Sequence, residues 1–185
     1  MTTGAAREGP FPPPWLALPG AAALLRTFRR EDAALGVELS RVDDVPRWTF
    51  VPPRMSAVEA DEWAARAVSR ARDGSSARYV VELDGRAVGT AGLSGIDGAA
   101  PEVFYALLPR ARGLGLATRA VASLGAWALA AGAEEVRLVT RLGNGPSEAV
   151  ARRAGFVLVD EATDPRDGAS VRVWALRDAG APPTL

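Results

Sequence analysis

The stretch EVFYALLPRARGLGLA, from Glu102 to Ala117, reads as a strand that runs into a glycine-bearing turn and then into a helix. Along the strand Glu102, Phe104 and Ala106 share one face, and Val103, Tyr105 and Leu107 the other. Gly113 and Gly115 let the backbone of the turn come close to a ligand. The helix that follows aims unpaired N–H groups at that ligand, and its dipole favours an anion. Arg110 and Arg112 can add charge-assisted bonds. Each is worth roughly 1.5–3 kcal/mol and the dipole roughly 0.3–1 kcal/mol, so several together could hold a pyrophosphate. Read alone, the same turn is equally a tight connection with no ligand.

Two other phosphate-binding readings fail on particular residues. A dinucleotide site needs G-x-G-x-x-G and an acid on the strand after the crossover. Thr118 stands at the third glycine position here. The next strand, Val136 to Thr140, ends in no acid, because Glu134 and Glu135 precede it. A P-loop needs a lysine, and the chain has none.

Working outward, residues 24–28 read as a strand and 30–39 as a helix. A Pro-punctuated loop through Pro46, Pro52 and Pro53 follows. Ser56-Ala57-Val58-Glu59 is a capping box that opens a helix to about Arg72, with Val58, Trp63 and Ala67 in its buried stripe. Residues 78–83 and 86–93 form a hairpin across Asp84-Gly85. After the central strand and helix come a strand at 136–141, a short helix at 147–154 closed by Gly155, and strands at 156–160 and 171–176. Hairpins followed by one strand–helix–strand crossover give an α/β layout with a mixed sheet.

A chain of 185 residues suits one domain. Residues 1–20 carry Pro10, Pro12, Pro13, Pro14 and Pro19 and read as a flexible arm; 21–178 form the domain, and 179–185 read as a flexible tail. No apolar run reaches the ~18 residues of a membrane span, and the first residues lack the order of a signal peptide. The expectation is a cytoplasmic protein that engages no membrane. The balance of 22 basic against 22 acidic residues speaks against non-specific nucleic-acid binding. With no cysteine and no histidine, the commonest thiolate, metal-ligand and general-base chemistries are missing. Proton transfer falls to carboxylates, Tyr, Ser or water.

These residues carry a family resemblance. Arg110-x-x-Gly113-x-Gly115 is similar to the (Q/R)-x-x-G-x-(G/A) motif of the GNAT superfamily of N-acetyltransferases. Asn144-x-x-Ser147 followed by Ala154-Gly155-Phe156 resembles the N-x-x-S…G-F signature of the branch that acetylates ribosomal-protein N-termini. Leu24-Leu25-Arg26 through Asp32 is similar to that branch's opening strand, without its proline. The resemblance runs from about residue 24 to 176. It implies a mixed, mostly antiparallel sheet, flanked by helices, in which the parallel strands 102–108 and 136–141 splay. Acetyl-CoA would enter the gap as co-substrate, with no metal. Its pantetheine would run beside Ala106, Leu107 and Leu108, and its pyrophosphate would lie on Arg112, Gly113, Leu114, Gly115, Leu116 and Ala117, with Arg110 alongside. A backbone N–H near Leu107 would polarise the acetyl carbonyl.

The resemblance also implies direct attack by a primary amine, a protein α-amine or a small molecule such as an antibiotic or polyamine. Glu102 is the first candidate base; its alternative is a solvated strand-end acid. Ser147 is the candidate acid toward the departing thiolate; its alternative is a helix N-cap. Asn144 would bond the pantetheine arm or simply occupy a turn. Many members carry a tyrosine four residues before the Gly of the Gly-Phe pair, where this chain has Ala151. Tyr105 is a further candidate acid or a packed core residue. In the loop at 43–54, Asp43 and Asp44 could draw in a cationic amine, and Trp48 and Phe50 could wall its pocket. Arg152 and Arg153 would touch the adenosine 3′-phosphate or line a solvated helix face. A homodimer pairing its last strands fits the family. Two alternatives stay open: a domain that binds acyl-CoA without turnover, and a nucleotide-binding protein using the same turn.

Overall fold

The structure is a computed structural model and describes residues 13–178. Thirteen elements follow in order: β1 (Trp15–Ala17), β2 (Ala23–Thr27), α1 (Ala33–Ser40), α2 (Asp44–Trp48), α3 (Ala57–Arg72), β3 (Ser76–Leu83), β4 (Arg86–Ser94), β5 (Glu102–Leu107), α4 (Leu116–Ala130), β6 (Val136–Arg141), α5 (Gly145–Arg153), β7 (Val157–Thr163) and β8 (Ser170–Leu176). Short 3-10 turns precede α1 and α4. The strands form one sheet in the order β1-β2-β3-β4-β5-β6-β8-β7. Every neighbouring pair is antiparallel except β5 and β6, the two strands joined through α4. That mixed α/β sheet matches the sequence expectation.

The parallel pair is brief. Glu102 pairs with Arg137 and Val103 with Leu138, and there the pairing stops. Beyond Val103 the strands part, although β5 stays paired to β4 from Glu102 to Leu107. Helices cover both faces of the sheet. On one face Leu116, Ala120, Val121, Leu124 and Ala128 of α4 pack on Ala77, Tyr79, Val81, Val103 and Leu138. Their spacing is one stripe of a 3.6-residue helix. On the other face Leu35 and Leu39 of α1 and Ala60, Trp63 and Ala64 of α3 pack on Phe28, Val80 and Ala106. The Ser56 hydroxyl accepts the Glu59 N–H at 3.3 Å and the Glu59 carboxylate accepts the Ser56 N–H at 2.7 Å, which closes the capping box at the start of α3.

Three expectations change. Residues 15–17, assigned to the flexible arm, are strand β1 on β2, since alternation of Trp15, Leu16 and Ala17 suffices for a short edge strand once β2 offers its backbone. Residues 1–12 and the tail at 179–185 lie outside the described residues. Residues 44–48, read as loop because of Pro46, are helix α2; a proline in a first turn removes no intrahelical bond. Val58 is exposed, and the buried stripe of α3 runs through Ala60, Trp63 and Ala64 instead. Among the described residues no helix is long and apolar enough to cross a membrane.

Gly92 sits where β3, β4 and β5 meet, opposite Arg78 on one side and Phe104 on the other. A Cβ there would lie 2.1 Å from the Ala77 carbonyl oxygen and 2.5 Å from the Phe104 ring. Because the first neighbour is backbone, Gly92→Ala must displace a strand. The expected cost is about 1–3 kcal/mol, a fall of roughly 2–12 °C in the melting midpoint, read by a thermal melt against the parent chain.

Candidate active site

The parting of β5 and β6 opens a cleft of about 1430 Å³. It is walled by the first turn of α4, the start of α5, α2 with the residues after it, and the turn between β7 and β8. The Leu108 N–H donates to the Val88 carbonyl on β4 at 2.9 Å. Backbone groups alternate in direction along a strand, so the N–H and C=O of Tyr105 and Leu107 point away from β4, into the gap. The Leu107 carbonyl already has a partner: Nε and Nη2 of Arg112 donate to it at 3.2 and 3.1 Å. The same guanidinium grips Asp44 through two bonds of 2.8 and 2.9 Å. Arg112 thereby ties the end of β5, the turn and α2 together, and it holds the Asp44 carboxyl below its ordinary range.

The turn itself keeps its donors free. Gly113 and Gly115 take positive φ of 76° and 73°, and Gly115 is the N-cap of α4. The first bond of the helix runs from the Arg119 N–H to the Gly115 carbonyl. The N–H groups of Leu116, Ala117 and Thr118 precede it and have no intrahelical acceptor. Gly113, Gly115, Leu116, Ala117, Thr118 and Arg119 all line the cleft. Arg119 braces the turn from outside, donating to the Leu114 and Pro19 carbonyls at 2.8 Å each.

At the start of β5, Glu102 faces the β7–β8 turn. Arg166 reaches it at 3.4 Å and holds Asp164 at 2.8 Å. Arg166 also lies 4.2 Å from the centre of the Phe50 ring. Arg141, paired with Asp167, covers the same ring at 5.6 Å. Burial pushes the Glu102 carboxyl up, and Arg166 offsets part of that rise. Asp164 is pulled down by its bond to Arg166. At the other side of the gap the Tyr105 hydroxyl donates to Ser147 Oγ at 2.9 Å. Burial raises the Tyr105 hydroxyl, and the Ser147 bond opposes that.

The cleft brings together Ala106, Leu107, Arg112, Gly113, Gly115, Leu116, Ala117, Asn144, Ser147, Glu102, Asp44, Trp48 and Phe50 among the residues singled out by sequence. Five others, Arg110, Leu114, Leu108, Asp43 and Arg152, lie outside its lining. Arg110 turns to the α1 side, bonding Glu38 at 2.9 Å and the Ala87 carbonyl at 3.1 Å. The intervening 3-10 turn rotates it away from Arg112. Leu114 is exposed, Leu108 is buried against the α1–α3 core, and Asp43 precedes α2 without entering the cleft. Asp44 is in the cleft but neutralised by Arg112. The cap of α5 is Asn144, whose side chain accepts the Ser147 N–H at 3.2 Å, so the Ser147 hydroxyl is not the cap. Ala151 is buried in the core. Arg153 lines the cleft, whereas Arg152 lies over Trp174. The sequence reading passed over Arg78, Thr90, Asp164 and Arg166, all in the lining. Arg78 left a trace, as a charge at an inward position of an apolar strand. Asp164 and Arg166 left none, because they reach Glu102 from the far end of the chain.

A family model described as an acetyltransferase (GNAT) domain matches residues 23–157. No curated protein matches the chain in sequence. Solved structures share its fold. One is an acetyltransferase from Salmonella typhimurium that modifies the N-terminal serine of ribosomal protein L7/L12: 16% identity, TM-score 0.76, covering 89% of this chain and 99% of that one. RimJ of Mycobacterium smegmatis, in complex with CoA-disulfide, has 23% identity and a TM-score of 0.74, covering 92% and 88%. Spermidine N-acetyltransferase of Vibrio cholerae, with CoA and spermine, has 18% identity and a TM-score of 0.72, covering 84% and 95%.

Removing the Arg166 guanidinium takes away the group that favours ionised Glu102, while the burial that disfavours it stays. Glu102 is expected to titrate above the ordinary glutamate value in the parent and higher still in Arg166→Ala. Carboxyl NMR titration of selectively labelled protein reads both; a lower value in the variant would show that burial is not the governing term.

Proposed function

The chain belongs to the GNAT acetyltransferase family, and we propose that it moves the acetyl group of acetyl-CoA onto the α-amine of a protein N-terminus. The observation that carries this reading is the cleft between β5 and β6. On one wall it offers the Tyr105 backbone and the Leu107 N–H, and on the other the free N–H groups at the start of α4. That donor set suits an extended pantetheine arm beside the strand and a pyrophosphate on the helix start. Gly113, Gly115, Leu116, Ala117 and Thr118 would hold the phosphates, with Arg153 near the far end and Asn144 beside the arm. Acetyl-CoA supplies the activated thioester carbonyl.

The remaining roles fall to this chain's own residues. The Leu107 N–H polarises the carbonyl oxygen, and Arg112, by holding the carbonyl of the same residue, steadies the end of β5. Glu102 accepts the proton of the attacking amine through a chain of waters, since it stands at the other end of β5 from Leu107. A raised carboxylate is still a weak base, which favours an α-amine near pKa 7.7–8.0 over a lysine-like amine near 10.4, a gap of roughly 3.4 kcal/mol. Ser147 donates toward the departing thiolate, and Tyr105 resupplies its proton. This pair stands where Ala151 leaves no tyrosine on α5. A polycationic acceptor fits poorly. Arg70, Arg78, Arg141 and Arg166 line the cleft, and Asp44 is spent on Arg112. We place the enzyme in the cytoplasm. We place its homodimer contact on edge strand β7, where Val157, Leu158 and Val159 are exposed.

The test is a melt with acetyl-CoA, with NAD and ATP as controls, followed by CoA release with peptide acceptors. At a hundredfold excess over Kd, binding adds about 2.7 kcal/mol, a rise of roughly 5–11 °C for this size. A shift without turnover on any amine would leave a binding module. No shift would sink the cofactor assignment.

Glu102→Gln is expected to lower kcat/KM by about 10²–10⁴-fold with the acetyl-CoA melting shift retained. Ser147→Ala should lower kcat by roughly 10²-fold with KM for the amine nearly unchanged. A loss confined to KM would move Ser147 from the chemistry to binding.

A further inference from the structure

Arg78 is a half-buried cation of the cleft that the proposed chemistry does not use. On β3 it shares the α3 side of the sheet with Ser76 and Val80. Directly opposite it on β4 is Gly92, and beyond Gly92 is Phe104 on β5. The Phe104 ring fills the space that a side chain at Gly92 would take, and the Arg78 guanidinium lies 4.6 Å from the centre of that ring and 4.5 Å from that of Trp63. Both contacts are cation–π in character and use none of its N–H donors. One edge donor is used, Nη1 to Thr90 Oγ1 at 3.2 Å.

Among the described residues no carboxylate pairs with Arg78. Three other arginines of the cleft are paired: Arg112 holds Asp44, Arg141 holds Asp167, and Arg166 holds Asp164 and Glu102. A guanidinium has five N–H donors, and no buried side-chain nitrogen among the described residues is left without a partner. The remaining nitrogens of Arg78 are therefore not sealed from solvent, and Arg78 lines the cleft together with Thr90 and Phe104. Burial and the like charge of Arg70 both press on this cation, which is pushed down to about 10. An anion in the cleft would relieve both.

The location says which anion. The start of α4, where the phosphates would sit, lies with the core on the opposite face of the sheet from Trp63. Thr90, the one partner of Arg78, is paired with Ala106, at the end of β5 where the acetyl group is expected. The free edge of Arg78 is thus on the acceptor's side of the sheet and close to the reacting amine. Resting on the acetyltransferase reading above, we propose that Arg78 receives a carboxylate of the acceptor, so that the preferred substrate is an amine carrying a carboxylate within a few bonds of its nitrogen. A free α-amino acid has that chemistry, and so does a protein N-terminus that begins with an acidic residue. The planar fork of the guanidinium matches a carboxylate in two parallel bonds, and a lysine would not.

The test uses the full chain and matched acceptors: peptides beginning with Asp or Glu against those beginning with Asn or Gln, and free amino acids against their amides. CoA release gives kcat/KM. Melting shifts with N-acetylated carboxylates and amides, in the presence of CoA, give binding without turnover. The parent is expected to prefer the carboxylate in at least one pair by about tenfold or more. Which pair shows it tells the free amino acid from the acidic N-terminus. Arg78→Met should bring the ratio near one while keeping the acetyl-CoA melting shift, and Arg78→Lys should keep part of it. A parent that treats every pair alike, or that binds no carboxylate, overturns the proposal while the acetyltransferase reading stands, as does an Arg78→Met protein that keeps the preference. A parent whose melt acetyl-CoA leaves unmoved overturns the acetyltransferase reading itself, and this one with it.

Discussion

The structure turns on the separation of β5 from β6 after Val103. A strand in the middle of a sheet ordinarily spends its N–H and C=O groups on two neighbours. Here one row of them is left facing a cleft, and buried backbone groups do not stay unpaired without cost. The chain satisfies one of them itself, with the Arg112 guanidinium on the Leu107 carbonyl. It leaves the rest to whatever enters. The gap that weakens the sheet is thus the gap that opens the cleft. The layers of α4 on one face and α1 and α3 on the other hold the parted strands in place.

Arginine does the work that lysine and histidine would share in another chain. Arg112 clamps β5, the turn and α2; Arg166 joins the β7–β8 turn to Glu102; Arg119 fastens the turn before α4 to the segment after β1. Each is a multi-donor fork that can hold two or three elements at once, which a point charge does less well. Asp44, Asp164 and Glu102 balance the charge of Arg112 and Arg166.

Much of this architecture was legible in the sequence, for local reasons. The alternation from Glu102 to Leu107, the glycines at 113 and 115 and the capping box at Ser56 each act over a few residues, and each appears where the pattern put it. Misreadings occurred where a local rule was outweighed. Pro46 looked like a loop residue but sits in a first turn, where proline is harmless. Arg110 and Arg112 looked equivalent, yet the intervening 3-10 turn sends one to Glu38 and the other into the cleft. The grouping of Glu102 with Arg166, or of Arg78 with Trp63 and Phe104, joins strands and helices far apart in the chain, and no spacing rule carries that information.

The two sides of the cleft show how such long-range groupings divide the chemistry. On the α4 side the cleft offers backbone donors at a helix start, set by the glycines of the turn before it. On the α3 side it is lined by side chains: Glu102, Phe104, Thr90 and Arg78, framed by Trp48 and Phe50. Substituting residues on the first side must keep a backbone shape, whereas the second can change charge and size while the sheet beneath stays the same. Gly92 is the exception on that side. Its missing side chain makes room for the Phe104 ring, beside which the Arg78 guanidinium lies, so a backbone requirement of the fold also sets where a charge stands in the cleft.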